Sequence, residues 1–369
     1  MRLSRATLHV FQLPYARPVR WSDVVEDGAT FLLLRLKSDD GFEGVSEMTT
    51  KPTWTGFGPR SLAESVQEVL LPRLLGVDLS NVQGVARCLD AIPGLHAPKA
   101  LVDNALWDLR ADAMGVPLWQ QWGGRDRVPV SFTVTRQSPD LMAREAAGLV
   151  ERLGLRCLKI KGGQGIDVDA QVLAALKREV GDGIDFYVDA NGAYSQNEAA
   201  AYARAMFEAG ARVVEDPCPL AAGKAFAQLQ GGLPAPVLVD FSCWSVGDAS
   251  TFIESGARAF SLKPGRFGLS FTRSLQALAG AAQALTVVGM FGESAVGTWQ
   301  ALAQAACQDE RALPAEVTWY VSMRDQITHE VPVIEDGCIR LSATPSVARR
   351  IDPARIARYG LGSPISISF

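Results

Sequence analysis

From residue 128 onward the chain repeats one unit, a short apolar strand with a charged end followed by a helix. The strands VPVSFTV, CLKIK, DFYVDA, RVVED, PVLVDF, AFSLK and LTVVGMF succeed one another, with stretches of helical periodicity such as LMAREAAGLVERLG and NEAAAYARAMFEAG between them. Parallel strands joined by helical crossovers need cover on both faces, so two α/β architectures remain: a closed (βα) barrel or an open doubly wound sheet. Repetition over about 200 residues favours the barrel.

In a parallel barrel, function gathers at the C-terminal ends of the strands. Those ends carry Lys159 and Lys161, Asp189 and Asn191, Glu215 and Asp216, Asp240, Lys263 and Glu293. Counted from Lys161, the steps are 28, 26, 25, 23 and 30 residues, about one strand–helix unit each. A single aspartate at a strand end usually caps the next helix, and a single lysine is usually solvated. The same offset in consecutive units reads instead as one site.

Strand alternation puts Cys157, Lys159 and Lys161 on one face. Two ammonium groups tolerate burial there only if negative charge lies opposite. Asp189, Glu215 and Asp240 would supply it, and three carboxylates brought together need a cation between them. Oxygen donors without His or Cys favour a hard ion, Mg²⁺ or Mn²⁺. Lys161 and Lys263, from nearly opposite sides of the barrel, would flank that ion as acid and base.

The first 125 or so residues follow another pattern. Strands are expected over 30–37 and 44–48, and helices over 61–76 and 99–115. The division is therefore an α+β capping domain over 1–125, a barrel over 126–335, and a C-terminal segment over 336–369 that returns to the cap. A net charge of −4 without basic runs argues against nucleic acid or an anionic membrane as partner. The start lacks the apolar core of a signal peptide, and no apolar run is long enough for a membrane span. Six scattered cysteines without a CxxC pair argue against a disulfide framework or zinc site, and a cytoplasmic location is expected. The GGQGID turn is a poor nucleotide loop, because Val168 stands where GxGxxG needs glycine.

Taken in order, LKIK, YVDAN, VVEDP, VLVD, SLKPGRFG and MFGESAVGT resemble the enolase superfamily, in its muconate lactonizing enzyme subgroup, over nearly the whole chain. The resemblance implies a modified (βα)₇β TIM-like barrel beneath an α+β N-terminal cap. It implies Asp189, Glu215 and Asp240 as metal ligands, Lys161 and Lys263 as the acid/base pair, and Lys159 as a neutraliser of the substrate carboxylate. Substrate choice in that family lies in two cap loops, here near PVRWSDVVED and TTKPTWTGFG. Trp21 and Trp54 are then substrate contacts or packed surface aromatics; Asn191 and Glu293 are further candidates for the pocket. The late strands lack a suitable histidine, which argues against the mandelate racemase subgroup.

One position departs from the pattern. Relatives usually carry Glu after the third ligand, and this chain has Phe241. EDP in place of EQP after the second is a milder change. The first expectation for the reaction is a muconate-type cycloisomerase acting on a small carboxylate. A racemase or epimerase of N-substituted amino acids, or a syn-dehydratase, uses the same parts, and a carboxylate-binding barrel without turnover is a third class. Members of the family are often dimers or octamers, so a homo-oligomer is expected.

Overall fold

The structure is a computed structural model and describes residues 1–21 and 24–369. Seven parallel strands follow one another in chain order: Phe132–Val134, Cys157–Lys161, Asp185–Asp189, Ala211–Glu215, Val237–Val239, Ala259–Leu262 and Leu285–Val288. Residues 313–316 then join the last to the first. Leu313 N–H donates to Thr286 O at 3.0 Å and Glu316 N–H to Val288 O at 2.8 Å. On the other side, Ala315 N–H donates to Pro129 O at 2.9 Å and Ser131 N–H to Ala315 O at 2.8 Å, around a parallel bridge between Val130 and Ala315. The sheet is therefore a curled ring, and the open doubly wound alternative is set aside.

Period-two alternation sorts the side chains of this ring into layers. Cys157, Tyr187, Val213, Leu238, Ala259, Val287 and Leu313 form one buried apolar cluster inside it. Two residues further along four of these strands stand Lys159, Asp189, Glu215 and Asp240. The apolar layer thus carries the charged one. Outside, amphipathic helices such as Pro139–Leu153 turn Met142, Ala143, Ala146 and Leu149 onto the strands.

The N-terminal part is an antiparallel sheet ordered Ile365–Ser368, Leu3–Arg20, Val25–Ser38, Glu43–Thr49. Leu3–Arg20 was not anticipated, because Pro14 and Pro18 break its alternation. Its pairing with Val25–Ser38 indeed shifts register between Pro14 and Val19. The helix expected over 61–76 is three short pieces, Pro59–Glu64, a wide turn Ser65–Leu70 and a tight turn Leu71–Leu74. Pro72, which has no N–H to donate, sits at the start of the last piece. The helix His96–Met114 packs on the sheet closely enough that a Cβ at Gly44 would stand 2.2 Å from Ala105 O.

Buried polar contacts fix this sheet and helix on the barrel. Ser294 N–H and Gly297 N–H, at the start of helix Ala295–Ala305, donate to Glu47 Oε1 at 2.7 and 3.0 Å. Asp108 accepts from Val45, Val347 and Ala348 N–H at 2.9, 2.6 and 3.0 Å. Asn104 donates to Pro264 O at 2.9 Å and accepts from Leu269 N–H at 2.8 Å. The cap's sheet and helix are thus tied to the rim of the barrel. Among the described residues no helix is long and apolar enough to cross a membrane.

Candidate active site

The strand ends surround a cavity of about 490 Å³. Register brings Lys161 level with Asp189, and Asp189 with Glu215, on adjacent strands; Asp189 and Glu215 lie beneath the lining of the cavity, not in it. Asp189 and Glu215 are fully buried, and Asp240 nearly so. Lys159 Nζ stands 3.0 Å from Asp189 Oδ2, 2.5 Å from Glu215 Oε2 and 3.2 Å from Glu316 Oε1. Lys161 donates to Asp189 Oδ2 at 2.6 Å and to Asn191 Oδ1 at 3.2 Å. Lys263 donates to Asp240, and Arg266 Nη1 lies 3.5 Å from the other oxygen of that carboxylate.

These contacts set the charge states. Burial pulls the Lys159 ammonium down, but Asp189, Glu215 and Glu316 outweigh it and hold the group well above the usual lysine range. Burial opposes the charge of Asp189 as well; Lys159 and Lys161 prevail and keep its carboxyl low. Glu215 is pushed up by burial and then by the Asp189 charge. Lys161 is lowered by burial, with Asp189 working against it. Lys263 is also disfavoured by burial, but Asp240 holds it above its ordinary value.

Among the described residues, no three carboxylate, histidine or cysteine side chains stand close enough to enclose one ion as they lie. The lysine ammonium groups are interposed among them. Even so, the donor set fits a divalent ion. Both Glu215 oxygens and Asp240 Oδ1 are buried and accept no hydrogen bond. The Lys159 contact with Glu215 is an ion pair at angles that do not make a hydrogen bond. Buried carboxylate oxygens without donors are costly unless a cation takes them, and an all-oxygen set suits Mg²⁺ or Mn²⁺.

Every other position singled out in the sequence can be placed. Trp21, Trp54, Asn191, Lys159, Lys161, Asp240 and Lys263 line the cavity. Trp21 is buried, with Nε1 donating to Glu26 Oε2 at 2.8 Å, and its ring meets those of Trp54 and Trp319 at 4.8 Å. The Lys51 ammonium lies 4.1 Å from the Trp21 ring centroid and 4.6 Å from that of Trp54. Two residues of the first cap loop, Ser22 and Asp23, lie outside the described residues. Glu293 does not line the cavity; it is buried and accepts Phe291 N–H at 2.7 Å.

Several further polar residues belong to the site. Glu316 accepts from Lys159 and Tyr187 and receives Met290 N–H at 3.3 Å. Its segment, LPAEV, is too short and proline-flanked to read as a strand. Arg136, just beyond the end of Phe132–Val134, lines the cavity and donates to Gly162 O at 2.6 Å. The strand-end rule applied to VPVSFTV would have found it. Asp216, at a strand end in the sequence, organises the backbone beside Asp240. It takes a left-handed backbone, φ 38°, and accepts Asp240 N–H at 3.2 Å and Phe241 N–H at 2.8 Å. Burial and the neighbouring Asp240 charge push its carboxyl up to about 7.

Comparison with known proteins agrees with this architecture. Residues 141–362 match the family model described as enolase C-terminal domain-like. Residues 5–123 match the mandelate racemase / muconate lactonizing enzyme N-terminal domain. Muconate cycloisomerase 1 of Pseudomonas putida is 26% identical over 339 residues, which is 89% of this chain and 90% of that protein. N-succinylamino acid racemase of Thermus thermophilus is 35% identical over 278 residues, 73% of this chain and 72% of that one. Among solved structures, muconate lactonizing enzyme from Pseudomonas fluorescens in complex with muconolactone superposes with a TM-score of 0.90 at 26% identity, covering 98% of this chain and 99% of that one.

Proposed function

The chain belongs to the mandelate racemase / muconate lactonizing enzyme family of the enolase superfamily, and from that premise we propose an isomerase that forms and quenches an enolate beside the carboxylate of a small substrate. Its reaction, on this reading, moves the α-proton of an N-substituted amino acid from one face of the carbon to the other. The observation that carries it is the placement of Lys161 and Lys263. Both line one cavity, and their strands lie four steps apart around the ring, so they approach from opposite sides.

The residues divide the work as follows. Asp189, Glu215 and Asp240 would hold a divalent ion, whose charge, when bound, stabilises the negative charge that develops on the substrate carboxylate. One lysine, as the free amine, takes the Cα proton. The other, as the ammonium, returns a proton to the opposite face, and the roles exchange in the reverse direction. Asn191 fixes Asp189 by donating through its backbone N–H at 2.8 Å and through Nδ2 at 3.0 Å. Lys159 and Glu316 keep the floor near neutral beneath the substrate.

A second reading is muconate-type ring closure, in which only one lysine transfers a proton. It is favoured by the near full-length likeness to muconate cycloisomerases. The 35% identity with an N-succinylamino acid racemase over 278 residues favours the first reading.

Mass spectrometry in D₂O with Mg²⁺ separates the two. Deuterium entering an N-acyl amino acid with inversion supports the racemase, and conversion of cis,cis-muconate to a singly deuterated lactone supports ring closure. Loss of water from a hydroxy acid would replace both with a dehydratase. No exchange into any of these carboxylates would sink the isomerase reading.

A further inference from the structure

Phe241 is 56% exposed, yet it stands on the rim of the cavity beside the buried Asp240. It is also fixed in place. Its N–H donates to Asp216 Oδ2 at 2.8 Å, and its carbonyl accepts from Arg266 at 3.1 Å. The Arg266 guanidinium lies 4.6 Å from the ring centroid, and Trp244 packs against the ring in a T-shaped arrangement at 5.6 Å. Arg266 is in turn held by Trp244 and Phe267, at 4.0 and 4.5 Å. A large aromatic side chain clamped at backbone and ring, over half exposed and standing at a cavity, is a surface prepared for a ligand.

The other aromatic rings of the cavity are committed elsewhere. Trp21 and Trp54 pack on each other beneath the Lys51 ammonium, and Phe291 is buried against Trp54 at 5.6 Å. Phe241 alone of these rings carries most of its area into open space. Phe241 directly follows Asp240 and lines the same cavity, so a carboxylate held on the charged floor would have this ring on one side of it. A glutamate here would instead present its charge to Arg266 and leave no apolar face.

We propose that Phe241 is a stacking platform that makes the site selective for carboxylates carrying an aromatic or other planar unsaturated substituent, an inference that rests on reading the floor as the place of the substrate carboxylate. Aromatic pairs gain about 0.5–1.5 kcal/mol beyond the area they bury, so the preference should be about two- to twelvefold.

The test uses inert ligands, so that it does not depend on turnover. Calorimetry with Mg²⁺ present compares 3-phenylpropanoate with 3-cyclohexylpropanoate, which differ in planarity and little in bulk. The unaltered protein should bind the phenyl compound about two- to twelvefold more tightly, and Phe241→Leu, which keeps an apolar side chain there, should bring the ratio close to one. Equal affinities in the unaltered protein, binding of neither ligand, or a ratio that survives in Phe241→Leu would each overturn the platform. Deuterium exchange into N-acetyl-phenylalanine is measured separately. Its absence alongside a lost phenyl preference in Phe241→Leu would sink the proton-transfer reading and leave the platform standing.

Discussion

The protein buries carboxylates in two places that differ in what faces them. At the barrel floor, Asp189, Glu215 and Asp240 face ammonium groups, and three of their oxygens accept no hydrogen bond. At the seam between cap and barrel, Glu47 and Asp108 face neutral N–H and O–H donors from Ser294, Gly297, Val45, Val347 and Ala348. Burial pushes both seam carboxyls up to about 7, with those donors working against it. Asp189 and Asp240 shift the other way under lysine and arginine charge. The seam is a finished set of hydrogen bonds that joins two layers. The floor is charged and under-coordinated, and so is fit to exchange partners.

The largest expected effect belongs to the floor. Lys161→Ala should slow α-proton exchange by about a thousandfold, within the range of general acid–base catalysis, while Mg²⁺ affinity changes little; near-normal exchange would remove Lys161 from the acid/base pair. Lys159→Met comes next. It leaves Asp189, Glu215 and Glu316 facing one another without their common ammonium, at a cost of about 3–5 kcal/mol in denaturant unfolding. Saturating Mg²⁺ should recover part of that loss, and an equal loss with and without Mg²⁺ would mean the carboxylates are no ion site.

The seam should respond less, and with the opposite pH sense. Glu47→Gln gives up one acceptor among three donors, for about 1–2 kcal/mol, and Mg²⁺ should not change that figure. A carboxyl whose folded value is raised binds more protons in the native state than in the unfolded one. Its contribution therefore declines as pH rises from about 4.5 towards 7 for Glu47. The loss in Glu47→Gln should accordingly be larger at pH 5 than at pH 8. A variant equally destabilised at both would show that Glu47 is charged throughout and that the two regions do not differ as described. The carboxyl of Asp189, held low, contributes in the reverse sense, and its contribution is lost only as pH falls below the ordinary aspartate value of 3.8.

The floor was legible in the sequence because strand period and unit length are local. Once CLKIK, DFYVDA and RVVED are read as strands of one barrel, Lys161, Asp189 and Glu215 must share a rim. The register bears this out. What was not legible depended on distant pairings. Glu316 sits in a segment without a strand signal and reaches Lys159 only because the ring closes there. Leu3–Arg20 holds as a strand through its long partner Val25–Ser38, across a register shift that its prolines demand. Glu293 has the right spacing, but its carboxylate folds back onto Phe291 N–H, which spacing cannot reveal.

The closing segment also has a consequence for the order in which the molecule can assemble. Lys159 and Glu316 are 157 positions apart in the chain. During synthesis the strand bearing Lys159 emerges long before its third carboxylate partner exists. The contacts of residues 313–316 with residues 129–131 are of equally long range, as in the bond from Ser131 to Pro314 O, 183 positions away, and such contacts form late because of the loop they must close. Joining the ring and completing the charge balance of its floor are therefore one event. A chain stopped before residue 313 would keep its lysines beside an open edge, and only the finished barrel can hold the site.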